Sequence, residues 1–110
     1  MLIAVAGPYS APTEEGRRRN LDAMHAAAAE VARRGHIPLI GVDAALPVVD
    51  RLHPEEGPAR YDAIMRISLE VVGRCDAILL IAESPGANRE RDLLAGKGKP
   101  VYRALDELPR

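Results

Sequence analysis

Leu2-Ile3-Ala4-Val5-Ala6-Gly7-Pro8 opens the chain with five consecutive apolar residues closed by a glycine and a proline. A strand with one face in water alternates apolar and polar side chains; this run has no polar face, so it predicts a strand buried on both sides. Such a strand belongs in the middle of a parallel sheet, covered by helices on both faces.

The flanking sequence supplies those helices. Thr13 can cap a helix whose first turn carries Glu14 and Glu15, where acidic charge complements the positive end of the dipole. Leu21, Met24, Ala28, Val31 and Ala32 follow at helical spacing, and Arg33-Arg34-Gly35 supplies a cationic last turn and a terminating glycine. His36 to Ile40 reads as a second strand, completing a β-α-β unit with a right-handed crossover. Residues 41 to 58 contain three prolines and no sustained period, and are expected to be a functional loop. A helix is predicted from Pro58 to Gly73, with Tyr61, Met65, Ser68 and Val72 on one stripe and Ile64, Ile67 and Val71 beside it. Asp76 to Ile81 is a third apolar strand, 88 to 96 a third helix and Pro100-Val101-Tyr102 a final short strand. Alternating strands and helices predict a three-layer, doubly wound α/β fold. It is Rossmann-like or flavodoxin-like, with a parallel sheet of about four strands in the order 2-1-3-4.

At 110 residues the chain has room for one domain, residues 1–110, and for no second folding unit. With no Phe or Trp its core must be aliphatic, and the three tyrosines at 9, 61 and 102 are too few for an extended base-stacking platform. Fifteen basic against 16 acidic side chains give no global attraction to a polyanion, and the Arg17-Arg18-Arg19 triplet reads as a solvated helix face. A polymeric nucleic acid or a membrane surface is therefore not the expected partner. Cys75 is the sole cysteine, which excludes an intrachain disulfide and suits a reducing cytoplasm. The opening apolar run is too short for a membrane span and lacks the basic flank of a signal peptide.

No Gly-x-Gly-x-x-Gly follows the first strand, and Gly96-Lys97-Gly98-Lys99 precedes a strand rather than joining strand to helix, so neither a dinucleotide nor a triphosphate is indicated. His25, His36, His53 and Cys75 have no metal-ligand spacing, and no nucleophile elbow is present. No cofactor and no metal are expected. What remains is carboxylate chemistry. Ligands of open α/β sheets bind beyond the carboxyl ends of the strands, where strand order reverses. Glu90 lies beside that point, in the first turn of the helix predicted over 88 to 96, where the helix terminus would favour its ionised form. An ionised carboxylate at a cleft can act as a nucleophile; in the first turn of a helix it also simply stabilises that helix.

Several segments together resemble the nucleoside 2-deoxyribosyltransferase superfamily, which includes deoxynucleoside monophosphate N-glycosidases and a branch of small uncharacterised domains. They are Ile3-Ala4-Val5-Ala6-Gly7-Pro8-Tyr9-Ser10, then Asn20 and Arg34-Gly35-His36-Ile37-Pro38, and finally Cys75-Asp76-Ala77-Ile78-Leu79-Leu80, Ser84-Pro85-Gly86-Ala87-Asn88-Arg89-Glu90 and Gly98-Lys99-Pro100-Val101-Tyr102. The resemblance covers Leu2 to about Tyr102 and implies that Glu90 is a nucleophile forming a covalent glycosyl intermediate, with Tyr9 beside it. It implies that Ser84 and Gly86 line a sugar or 5′-phosphate pocket, and it implies homodimers or higher homo-oligomers that share each site; Gly7, Pro8, Ser10, Asp43, Ser68, Asn88 and Arg89 are the further candidates for binding substrate. Arg17, Arg19 and Arg89, near predicted helix N-termini, are candidates for the phosphate.

One position departs from the pattern. Active members carry an aspartate eight residues before the one that starts the third strand; counting back from Asp76 gives Ser68. Either Asp43, Asp50 or Asp62 supplies that carboxylate or the activity has changed. The expected function is an N-glycosyl hydrolase or transferase on nucleosides or nucleoside 5′-monophosphates. The alternatives are a non-catalytic nucleotide-binding module and an oligomeric accessory protein of the same fold.

Overall fold

The opening apolar run becomes β1 (Leu2–Ala6), hydrogen-bonded along both edges in the computed structural model, which describes residues 1–110. After it come α1 (Glu14–Arg33), β2 (Ile37–Leu39), α2 (Gly41–Leu52), α3 (Pro58–Val72), β3 (Ala77–Leu80), α4 (Pro85–Gly96), β4 (Val101–Tyr102) and a 3-10 turn over Leu105–Glu107. The sheet is wholly parallel in the order β2-β1-β3-β4. β1 aligns Ala4 with Leu39 on one side and with Ile78 on the other.

Alternation along the two central strands divides the core. Ile3 and Val5 of β1 and Ala77 and Leu79 of β3 pack with Met24 and Val31 of α1 and with Val42, Ala45 and Val49 of α2. Ala4, Ala6, Ile78 and Leu80 point the other way, onto Val72 at the end of α3, Cys75, and Ala87 and Leu94 of α4. Both faces are thus covered, which is why neither strand carries a polar residue.

Local signals set the helix ends. Thr13 Oγ1 accepts the Gly16 amide at 3.0 Å to cap α1, and Gly35, at φ 88°, takes the left-handed turn after it. Two expectations are corrected. Residues 41 to 52, expected as loop, form α2, because Val42, Ala45 and Val49 make a buried stripe that outweighs Pro47 inside the helix. The last helix starts at Pro85 rather than 88, capped by Ser84 Oγ, which accepts the Ala87 amide at 3.1 Å. No helix is long and apolar enough to cross a membrane.

Candidate functional site

The reversal of strand order lies between β1 and β3, and the chain leaves both strands on the same side. There Gly7 to Ala11 follow β1, Ser84 to Ala87 start α4, and a cavity of about 240 Å³ opens between them and α3. The volume is just below the range of about 300–1,000 Å³ usual for pockets that take drug-sized ligands, and it fits a small ligand. Its apolar wall is Val42, Ile64, Met65, Pro85 and Ala87; its polar groups are Tyr9, Ser10, Arg17, Glu56, Arg60, Tyr61, Ser84 and Glu90.

Glu90 is the most deeply placed of these. It projects from the second turn of α4 and is 4% exposed. Its one hydrogen-bond partner is Ser68 of α3, whose hydroxyl donates to Oε1 at 2.9 Å. Burial pushes the Glu90 carboxyl up to about 7, against the lowering effect of that hydroxyl. This reverses the expectation of a carboxylate held ionised in a first turn. Because α4 begins three residues earlier than expected, its free amide ends precede Glu90, and desolvation dominates.

The loop after β1 is fixed from α1: Asn20 Nδ2 donates to the Tyr9 carbonyl at 2.9 Å and to that of Ser10 at 3.4 Å. Gly7 permits close passage here, since a Cβ would lie 2.7 Å from Ile81 Cγ1. Gly86 does the same beneath the cavity, where a Cβ would sit 3.2 Å from Met65 Sδ and 3.9 Å from the Tyr61 hydroxyl. On the far wall Arg60 is 9% exposed and held by Asp50 at 2.8 Å, by the His53 carbonyl at 3.1 Å and by Glu56 at 3.7 Å. Its pKa is raised, chiefly by the Asp50 hydrogen bond, with Tyr9 also contributing. Arg17 donates to the Ala11 carbonyl at 3.0 Å and makes no ion pair.

Of the residues expected at the site, Gly7, Tyr9, Ser10, Ser84, Gly86 and Glu90 line the cavity. Ser68 does not: it is fully buried behind Glu90. Asp43 faces solvent on α2 and pairs with His25 at 2.7 Å, so it supplies no carboxylate to the cavity. Pro8, Asn88 and Arg89 also lie outside the lining; Asn88 accepts a hydrogen bond from Arg91 at 3.4 Å, and Arg89 is exposed. Asp50 reaches the site only through Arg60, and Asp62 is exposed. Of the proposed phosphate ligands only Arg17 lines the cavity, while Arg19 pairs with Glu15 on the surface.

Sequence reasoning missed Glu56, Arg60 and Met65. Tyr61 and Met65 shared a helical stripe with Ser68, which was a usable signal; Arg60 had none, because its burial depends on α2 forming beside it. No group of three or more His, Cys, Asp or Glu side chains is placed to hold a metal ion. Neither the scan against protein-family models nor the search of curated proteins finds a match to the chain.

Proposed function

We propose that the protein is an N-glycosyl hydrolase or transferase acting on nucleosides or nucleoside 5′-monophosphates, with Glu90 as nucleophile. The observation that carries this reading is a buried carboxyl with one oxygen held by Ser68, set in the wall of a small cavity at the reversal of strand order. In the first step a Glu90 oxygen bonds to C1′ as the C1′–N bond breaks. The bonding pair leaves on the base, which takes a proton from water. In the second step water, or the N–H of a second base, attacks C1′ as the C1′–O bond to Glu90 breaks; the carboxylate is released and the attacker's proton goes to the hydroxide left in the first step. Tyr61, Met65 and Val42 offer an apolar slot for the base, and Tyr9 and Ser10 border the sugar. Arg17, free of carboxylate partners, is the cation available to a 5′-phosphate.

The test is incubation with a panel of ribo- and deoxyribonucleosides and their 5′-monophosphates, with released base followed by mass spectrometry. Base release is expected from the wild type and not from Glu90→Ala. Release that survives loss of Glu90 removes the nucleophile assignment. A second reading, a nucleotide-binding module without turnover, draws on Ser68 standing where active members of the resembled superfamily carry a carboxylate. It gains if no panel member reacts but one raises the melting temperature. A shared site between subunits predicts a dimer or larger, and a light-scattering mass near 11.9 kDa at micromolar concentration counts against it.

A further inference from the structure

Behind the cavity three helices meet at one hydroxyl. Ser68, fully buried on α3, donates to Glu90 Oε1 on α4, and Gly41 at the start of α2 packs directly against it. A Cβ at position 41 would overlap the Ser68 hydroxyl and meet Val72 Cγ2 at 3.0 Å. The hydroxyl therefore occupies a space that only glycine leaves open. Oε2 of Glu90 has no hydrogen bond, yet no buried polar side-chain atom in the protein lacks a partner, so Oε2 is the oxygen that reaches the cavity surface.

We propose that Ser68 is a positioning residue for Glu90: with its place secured by Gly41, the hydroxyl holds Oε1 and turns Oε2 toward the cavity. The proposal rests on the reading of Glu90 as the reacting group, and extends it to a residue that touches no substrate. The same hydroxyl favours the ionised carboxyl against the larger effect of burial, so it also lowers the pH at which Glu90 becomes nucleophilic. The other groups facing Glu90 across the cavity are Tyr9 from the loop after β1, Arg17 of α1, Glu56 before α3, and Arg60 and Tyr61 of α3. The thiol of Cys75, just before β3, lies near enough for the Glu90 charge to raise its pKa, after the larger effect of burial. From α2 comes only Val42; on α4 itself Arg89 is exposed and Arg91 is paired with Glu83 and Asp92. Burial raises the Glu90 pKa and the Ser68 hydroxyl lowers it.

The experiment is a titration of the full chain labelled with carboxyl-¹³C glutamate. Loss of one resonance in Glu90→Gln assigns Glu90. Wild type is expected to titrate near 7. Ser68→Ala should move the midpoint up by about one pH unit, a roughly tenfold change in the ionisation constant, as one hydrogen bond to the charged form is lost. Ser68→Cys, which keeps a weak donor in similar volume, should fall between the two. Where a panel nucleoside reacts, the pH dependence of kcat should move with the titration while a spectator glutamate does not. An unmoved midpoint in either folded variant overturns the assignment. A moved midpoint without base release from any substrate overturns the glycosyl reading and leaves Ser68 as the residue that positions Glu90.

Discussion

Glu90 is stable in its site when neutral and strained by it when charged. Its folded pKa of about 7 lies above the ordinary carboxyl value of 4.5, so the native state binds its proton more tightly than the unfolded chain. Stability from this group is full below about 4.5, declines as pH rises, and is gone above about 7; the difference is about 3 kcal/mol. Glu90→Gln should therefore unfold at higher urea than wild type at pH 8 and at nearly the same urea at pH 4, while abolishing base release. If Glu90 is the nucleophile of the proposed reaction, kcat/KM of the wild type should climb through about pH 7 as its carboxyl ionises. Gly41→Ala should destabilise by more than the usual surface change, because its methyl drives into Ser68 and Val72; thermal unfolding measures it. The position of Glu90 beside the strand-order reversal was legible in the expected strand order, which puts the residues after the third strand at that point. Its charge state was not, since desolvation depends on what α3 and the loop after β1 place around it.

At the scale of elements, α2 is the one the linear pattern concealed. Three prolines between 41 and 58 argue for a loop, and Pro47 does remove one amide from the helix interior. Yet Val42, Ala45 and Val49 recur at helical spacing, and all three are buried against α1, α3 and the sheet. Burial of that stripe outweighs the local preference, as tertiary contacts commonly override propensity. Pro47 itself is exposed, so Pro47→Ala should restore the missing hydrogen bond and stabilise by about 1–3 kcal/mol, seen as a Tm several degrees higher. The site depends on this helix twice over: α2 brings Gly41 to Ser68 and carries Asp50, which holds Arg60 in the cavity wall.

Across the whole molecule, one sheet separates two half-cores, and the same two strands serve both. Neither half can lose its packing without exposing β1 and β3. Met24→Ala on one side and Leu94→Ala on the other should each lower global stability by about 2–5 kcal/mol. Far-UV and near-UV signals should still give coincident urea transitions in both variants. The sequence by itself determined the parallel sheet and its order, because uninterrupted apolar runs at Leu2–Ala6 and Ala77–Leu80 need cover on both faces, and short crossovers leave few arrangements. It also determined which loops meet at the reversal, since those are fixed by topology. Tertiary structure alone decided the chemistry of the place: that Ser68 stands buried against Glu90 rather than in the cavity lining, that Asp43 turns to His25, and that Arg60 enters the wall. Periodicity reports which face of an element is buried. The pairing of polar groups within that burial depends on distances between elements far apart in the chain, which no local pattern encodes.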